Sequence, residues 1–416
     1  MFMFDLTAEL QAFYDTSVRL GHDRRGQLGK YRDLNIDRLK GSLDDLAAET
    51  GRTRRHPYAT KNQGGYAMHT LNQDPDGDNG YDIDVALLFG NEDLPDDPLR
   101  TCQRVRDALA KRCTNFIQEP ETRTNAVTVW YAEGYHIDFA IYRTYTDAYG
   151  QKFIEHASTE WKRRNPMEVN DWFATAVETK SPKAMPAIGI VPKVAAGQMR
   201  RIVRFGKWFC RSRPSWSLPG GMVISALIAE VYRSDPDRDD RSLYDTLAVL
   251  KARLDVSCQV RNPIIGSPDL TDNEEVLHQV ERLRDNLGTA VSRLGILFDQ
   301  RNCTREKARS AWDWVFNHEF WGQKEAAGNR VAEDMAVVAT AYTVAIRCDL
   351  AKKQGGPTYR QYLSGGGILP KNVRLRFSVS STTVPPPYSI RWIVQNDGDE
   401  AREAGQMSWS DLASER

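Results

Sequence analysis

Tyr81-Asp82-Ile83-Asp84-Val85-Ala86-Leu87 and Tyr135-His136-Ile137-Asp138-Phe139-Ala140-Ile141 share one pattern: carboxylates interrupt what are otherwise core strands. In an extended chain side chains alternate faces, so Tyr81, Ile83, Val85, Leu87 and Phe89 form one apolar face, and Asp82, Asp84 and Ala86 form the other. The second tract has the same phase, with Tyr135, Ile137, Phe139 and Ile141 opposed to His136, Asp138 and Ala140. If the two strands are neighbours in one sheet over a common core, all three aspartates emerge on the opposite face. Unpaired anions crowded in this way are costly and call for a cation. Mg²⁺ suits an all-oxygen set, being a hard ion held by one or two carboxylates, waters and substrate phosphates. A lone Asp-x-Asp ordinarily marks a turn or a solvated edge. Two strands of matching phase, with a glycine-rich turn upstream, point instead to a metal-dependent site.

That turn is Gln63-Gly64-Gly65-Tyr66-Ala67-Met68-His69-Thr70. Adjacent glycines let the backbone approach an anion closely, and a helix starting at Tyr66 would add free N–H donors for phosphate. Gly-Gly alone more often marks a plain turn, so its position just before the Asp-x-Asp strand carries the weight. A second anion candidate is the run Arg200, Arg201, Arg204, Lys207, Arg211 and Arg213, which has no acid within it. Arg200, Arg204, Lys207 and Arg211 follow helical spacing, and Ile202, Phe205 and Phe209 supply an apolar stripe. Such a run is either a solvated basic face or, if it faces a cleft, a grip for triphosphate tails. Ser225 reads as a tolerated core hydroxyl, and Trp208, Trp216 and Tyr232 as core aromatics or base-stacking surfaces. His136 and His69 are read as substrate or second-layer contacts.

Elements that could position these groups follow from periodicity. Helical spacing recurs over Leu6–Leu20 and 37–50, with a further helix at 99–111, and strands are expected at 58–63, 81–89, 126–131 and 135–143. The Pro-, Gly- and Ala-rich stretch 182–197 marks a boundary, after which helices are expected at 198–211, 221–233, 242–254, 273–298, 304–317 and 331–352. Strand-like runs follow at 373–381 and 388–395, and the polar last twenty or so residues are expected to be largely mobile. The reading is therefore a mixed α/β (α+β) catalytic core with N-terminal helices over 1–190, a helical domain closing the cleft over 191–358, and a short β-like tail over 359–416.

Composition bounds the function. The 416 residues carry 56 Lys plus Arg against 56 Asp plus Glu, so no global field is available to hold long nucleic acid. Six scattered cysteines form no Cys-x-x-Cys pair, and none of the seven histidines sits at zinc-like spacing from one. With no tract approaching a membrane span, a cytoplasmic protein is expected, and monomer is the expected state.

On these residues the chain resembles the bacterial CD-NTases, the cyclic GMP-AMP synthase-like nucleotidyltransferases that make cyclic oligonucleotide signals in anti-phage defence. Gly64-Gly65, Asp82-Ile83-Asp84 and His136-Ile137-Asp138 stand in the family's order. Gly134-Tyr135-His136-Ile137-Asp138 and Arg211-Ser212-Arg213-Pro214-Ser215-Trp216 are similar to members near the bacterial cyclic GMP-AMP synthase. The resemblance spans roughly residues 1 to 350. Tyr388-Ser389-Ile390-Arg391-Trp392 resembles the start of a fused β-rich sensor module, too short to complete one.

The resemblance implies a DNA polymerase β-like core with two Mg²⁺, Mn²⁺ substituting, held by Asp82, Asp84 and Asp138. It implies ATP and/or GTP as substrates, bound through Gln63, Gly64, Gly65, Arg204, Lys207 and Ser225. A cyclic di- or trinucleotide would form with loss of pyrophosphate, to be read by a separate effector, with room for a regulatory partner. Gly65 departs from the family, which has Ser there, so phosphate contacts would fall to backbone N–H groups. Val85 stands where many relatives have a further Asp, but on the apolar face. Two other readings stay open: a same-fold enzyme modifying RNA or tRNA ends, and a catalytically silent nucleotide sensor.

Overall fold

The computed structural model describes residues 2–51, 55–73, 81–112, 118–131, 135–183, 192–322, 344–352, 357–362, 374–382, 390–395 and 408–413. The chain divides into two compact units, Met1–Gly322 and Gln323–Arg416.

The first unit opens with α1 (Thr7–Phe13), a π turn over Tyr14–Val18 and the 29-residue α2 (His22–Thr50), which Gly51 ends in the left-handed conformation at φ 63°. There follow β1 (Ala59–Gln63), the single turn α3 (Gly64–Ala67), β2 (Asp82–Gly90), α4 (Pro98–Lys111), β3 (Glu121–Thr122), β4 (Val127–Trp130), β5 (His136–Thr146), β6 (Lys152–Ala157) and β7 (Trp161–Arg163). α5 (Pro166–Lys180) precedes the helical half: α6 (Gln198–Arg211), α7 (Gly221–Val231), α8 (Asp239–Val256), α9 (Glu274–Leu294), α10 (Arg305–Phe316) and α11 (Glu319–Gly322). Local chemistry sets several of these starts. Asp97 accepts from Arg100 N ahead of Pro98, and Asn165 accepts from Met167 N ahead of Pro166, so each helix begins with a polar cap and Pro at its first position.

The seven strands form one mixed sheet in the order β1-β2-β5-β4-β3, and β6 pairs with β5 and with β7. β2 and β5 are parallel neighbours, and β1, β4 and β6 pair antiparallel. On one face Ile83, Val85, Leu87, Phe89, Ile137, Phe139 and Ile141 are buried against α2 and α4 through Leu28, Ile36, Leu39, Leu43, Cys102, Val105 and Leu109. The alternation in sequence thus produces one apolar face and leaves the other to line a cleft.

A second core joins α5 to α10 and also takes in Met3, Leu6, Leu10 and Phe13 from the N-terminus. α1 therefore packs among helices distant in sequence, whereas α2 packs under the sheet; nothing local to either helix distinguishes these fates. The anchor is Asp240, fully buried at the start of α8. It accepts from Leu6 N and Thr7 Oγ1 at 2.9 Å each, and from Arg238 Nη2 at 2.7 Å. Arg238 in turn donates to the Met3 and Phe4 carbonyls at 2.9 Å.

In the second unit β8 (Val344–Ala351), β9 (Thr358–Tyr362) and β10 (Arg374–Thr382) form an antiparallel sheet in the order β10-β8-β9. β11 (Ile390–Gln395) and β12 (Ser408–Ala413) form a hairpin-like pair. One expectation is corrected here. The helix expected over 331–352 is a strand from 344 to 351, and 331–343 lie outside the described residues. Val344-Ala-Ile-Arg-Cys-Asp-Leu-Ala fits either period, and ladder pairing to β10 decides it. Of the last twenty or so residues, Ser408–Ala413 are described, as β12, whose backbone groups are paired with β11. Among the described residues no helix is long and apolar enough to cross a membrane.

Removing the Asp240 carboxylate strands Arg238 and the α1 N–H groups. Asp240→Ala is expected to cost about 3 kcal/mol or more in denaturant unfolding, and a change below about 1 kcal/mol would show that the anchor is dispensable.

Candidate active site

The register of β2 on β5 sets the site. Asp82 pairs with His136 and Asp84 with Asp138, so four polar side chains share the face away from the core. Ligand atoms of Asp82, His136 and Asp138 all lie within 4.8 Å of one another. His136 Nε2 is 3.6 Å from Asp138 Oδ2, and Thr128 on β4 donates its hydroxyl to Asp138 Oδ1. Asp84 lies outside that group of three, with its carboxylate packed on Gly64.

The charges differ in kind. Burial pushes the Asp84 carboxyl up to about 7, with the Asp82 and Asp138 charges acting in the same direction. Asp138 is opposite: burial acts to raise it, but hydrogen bonds from His136 and Thr128 outweigh that and hold it below the usual carboxylate range. Burial works against charging His136, yet its contacts with Asp138 and the field of Asp82 raise it overall. Among the described residues the Asp82 and Asp84 carboxylates accept no hydrogen bond. The Asp82 and Asp84 carboxylates, without donors and beside Asp138 and His136, fit a divalent cation.

Gly64 makes this packing possible. It sits at φ 59°, and an added Cβ would overlap the Asp84 carboxylate. At Gly65 an added Cβ would meet Leu71 Cδ2 at 2.9 Å, the far end of a flexible side chain. Gln63, paired with Asp84 across β1 and β2, donates through Nε2 to Tyr142 Oη at 3.0 Å. α3 is one turn long, so its first N–H groups have no carbonyl one turn back, and Gly64 and Gly65 line the same cleft.

The cleft has a volume of about 1710 Å³. Its floor is the carboxylate face, and its opposite wall comes from α6, the start of α7 and the loop 262–270. Lys207 on α6 donates to Thr70 Oγ1 at 2.7 Å. Burial pulls its ammonium down to about 8, against the raising fields of Asp82 and Asp84. Gly221 gives it room: a Cβ there would stand 3.1 Å from Nζ.

The remaining expected residues divide. Lys207 and Arg211 line the cleft. Arg204 is buried with its guanidinium on the Tyr14 hydroxyl, and Arg201 is buried on Asp239 at 2.6 Å. Ser225 is fully buried, its hydroxyl donated to the Gly221 carbonyl at 2.7 Å, one turn back. Gly221 rather than Ser225 lines the cleft beside Lys207. Sequence reasoning missed Tyr142, Lys152, Lys162 and Arg164, which also line it. Tyr142 was accessible, since it stands four residues after Asp138 on the same face; the others depend on strands β6 and β7 that carry little apolar alternation.

Comparison with known proteins agrees with this geometry. Residues 59–142 match the model of the cyclic GMP-AMP synthase DncV-like nucleotidyltransferase domain. Residues 326–415 match the adenylyl/guanylyl and SMODS C-terminal sensor domain, which starts upstream of the tail boundary drawn at 359. No curated protein sequence matches the chain. Among solved structures it is similar to Escherichia coli MS115-1 CdnC with ATP, at 16% identity and TM-score 0.54, covering 76% of this chain and 98% of that one. The Vibrio cholerae di-nucleotide cyclase DncV with GTP and 5MTHFGLU2 gives 14% identity and TM-score 0.54, covering 76% and 96%. Bradyrhizobium diazoefficiens CdnG with GTP gives 16% identity and TM-score 0.55, covering 80% and 100%. At these identities the shared property is the fold.

Two predictions follow from the carboxylate face. Gly64→Ala should abolish Mn²⁺ binding measured by titration calorimetry, whereas Gly65→Ala should leave it within about threefold, because only the first substitution displaces Asp84. Equal losses would contradict the packing described. A carboxyl raised when folded binds its proton more tightly than when unfolded, so its contribution to stability is complete below the unfolded pKa and is lost as pH rises through about 7. Asp84→Asn should therefore raise the melting temperature of metal-free protein at pH 8 more than at pH 5. A pH-independent difference would count against the raised carboxyl.

Proposed function

We propose that this chain, a member of the bacterial CD-NTase family, condenses ATP and/or GTP into a cyclic di- or trinucleotide second messenger, releasing pyrophosphate. The observation that carries this is the in-register pairing of Asp82-x-Asp84 with Asp138 on the floor of a cleft whose far wall presents Lys207. Two Mg²⁺, with Mn²⁺ able to substitute, would be held by Asp82, Asp84 and Asp138. The chemistry such ions supply when bound is acidification of the attacking ribose hydroxyl and neutralisation of phosphate charge.

The chain's own groups do the rest. Asp138, kept ionised by Thr128 and His136, is placed to receive the hydroxyl proton. Lys207 is a weakened ammonium in the free protein. A triphosphate beside it restores a firm positive charge, and Nζ can pass from Thr70 to phosphate oxygen. Arg211 extends that positive wall. With Gly at 65, phosphate oxygens meet the backbone N–H groups of α3, and the short helix offers them without a competing side chain. Arg204 and Ser225, turned away from the cleft, act by holding α6 and α7 in place and not by touching substrate. Repeating the transfer on a linear intermediate closes the ring.

We assign the enzyme to anti-phage signalling in the cytoplasm, its product read by a separate effector. The DncV structures include one with the linear intermediate 5′ pppA(3′,5′)pG, and one CdnC structure is a complex with HORMA-deltaN. By analogy this chain takes nucleoside triphosphates and has room for a regulatory protein. The 326–415 match supports a sensor role for the second unit.

Purified protein incubated with four NTPs and Mg²⁺ or Mn²⁺ should yield a phosphatase-resistant cyclic species by mass spectrometry. Asp82→Ala and Asp138→Ala should each reduce it by about 10³-fold or more while retaining the wild-type melting temperature within a few degrees. Label appearing in RNA ends in place of the cyclic species would establish the same-fold RNA enzyme. Nucleotide bound without pyrophosphate release would establish a silent sensor.

A further inference from the structure

Trp208 follows Lys207 on α6, and where the lysine lines the cleft the indole is buried in the helical core, 1% exposed. Its ring neighbours come from the two ends of the first unit. Phe13, the last residue of α1, meets Trp208 edge to face at 5.5 Å. His318, two residues beyond α10, stands 5.6 Å from Trp208 and 5.3 Å from Phe13. Phe320 and Trp321 on α11 close on Phe13 at 5.3 and 5.4 Å. Tilted and edge-on rings of this kind add attraction to their apolar burial. Hydrogen bonds tie the same stretch to α6. Trp208 donates Nε1 to the Phe316 carbonyl at 2.9 Å, and Asn317, left-handed at φ 48°, donates Nδ2 to the Ser212 carbonyl at 2.9 Å.

Gly322 closes the first unit, and the chain continues from Gln323 into the second. The stretch that leads out, 318–322, is therefore packed on the helix that carries Lys207, although no described residue beyond Leu270 lines the cleft. A second route joins the same cluster to the lysine. Tyr14, next to Phe13, accepts from Arg204 through its hydroxyl, and the π turn that it opens holds Gln73, whose N donates to the Val18 carbonyl at 2.8 Å. Asn72 donates to the Arg204 carbonyl at 2.8 Å, and Thr70 accepts from the Lys207 ammonium. A shift of Phe13 or Trp208 thus reaches Lys207 both along α6 and through residues 70–73.

Aromatic clusters at helix ends are ordinarily permanent core. Two observations set this one apart. Trp321 is 2% exposed, yet its Nε1 is buried with no acceptor among the described residues, so the docked state carries an unmet hydrogen bond that water would satisfy on release. α11 is also a single turn. Trp321 N donates to the His318 carbonyl at 3.0 Å and Phe320 N to His318 Nδ1 at 3.1 Å. Arg309 on α10 donates to the Phe320 carbonyl and lies over the Phe320 and Trp321 rings at 5.5 and 5.7 Å. Ring packing and one guanidinium, more than helix propagation, hold the turn in place.

Resting on the nucleotidyltransferase function proposed above, we infer that His318, Phe320 and Trp321 form a latch that positions α6, coupling the exit of the chain towards the second unit to the grip of Lys207 on a triphosphate. With the latch docked, Trp208 fixes the roll of α6 and Lys207 faces the phosphates. With it released, α6 loses that constraint and Lys207 its fixed place. The three are positioning residues, since none of them lines the cleft. Coupling of this kind is reciprocal, so a nucleotide held by Lys207 stabilises the docked latch as much as the latch strengthens nucleotide binding.

The test is hydrogen–deuterium exchange of the full chain, read by mass spectrometry with and without a non-hydrolysable ATP analogue and Mg²⁺, alongside calorimetry of the same analogue. The analogue should slow exchange over 318–322 by about fivefold or more, and Lys207→Ala should remove that protection. Arg309→Gln should speed exchange there and weaken the analogue by about fivefold or more, with the melting temperature held within a few degrees. An analogue that binds and protects the cleft while exchange over 318–322 is unchanged would overturn the latch. So would unchanged analogue affinity in Arg309→Gln. A wild-type protein that binds the analogue, protects 318–322 and forms no product would instead refute the proposed reaction while leaving the latch standing.

Discussion

The parallel pairing of β2 with β5 imposes a constraint that the rest of the molecule answers. In-register pairing brings Asp82, Asp84, His136 and Asp138 onto one face of the sheet, and the apolar alternation that drives the pairing leaves them no other face to occupy. The core face supplies the driving force: burying each Ile, Val, Leu or Phe is worth about 1.5 to 3 kcal/mol. That is enough to hold like charges together at a cost that shows itself in the raised Asp84 carboxyl. A cation at the cluster would relieve that cost by neutralising it.

Around that face every neighbour is fitted to tolerate the charge or use it. Gly64 withholds a side chain where the Asp84 carboxylate needs space, and its positive φ is open to few other residues. Thr128 and His136 stabilise the anionic form of Asp138. Gln63 ties the glycine turn to Tyr142, so the turn and the strand that carries Asp138 are held as one piece. Lys207 is brought opposite by an unrelated element, α6, whose inner residues belong to the helical core. Its depressed ammonium is the counterpart of the raised carboxyl: each is a charge held ready in surroundings that favour it only once a ligand of opposite sign arrives.

The helical wall depends on a contact far from the chemistry. Asp240, buried with Arg238 and the backbone of residues 3–7, fixes α1 to α8 and closes the core on which α6 rests. Arg201 and Arg204 belong to that structural group, since their guanidinium groups satisfy Asp239 and Tyr14. One basic helix thus divides its charges between scaffold and cleft, and the division follows which residues face inward along the helix.

The period-two alternation of 81–89 and 135–143 was legible in the sequence, and with it the common face of the three aspartates, because side-chain direction in a strand is a local property. The Gly64-Gly65 turn and the helices from 198 to 317 were legible for the same reason. Other features required the tertiary structure. Whether Arg204 or Lys207 meets the cleft depends on the roll of α6 against α7 and the π turn, and spacing alone treats the two alike. Ser225 reads from its apolar neighbours as a core hydroxyl and was linked to nucleotide only by resemblance; packing turns its hydroxyl onto the Gly221 carbonyl. The placement of α1 in the helical core, and of Lys152, Lys162 and Arg164 along the cleft, rests on pairings between segments remote in the chain. Sequence by itself determined which residues carry charge and which face of their own element they share; only tertiary structure decided which faces meet, since that choice is made by long-range burial and strand register, which no local pattern encodes.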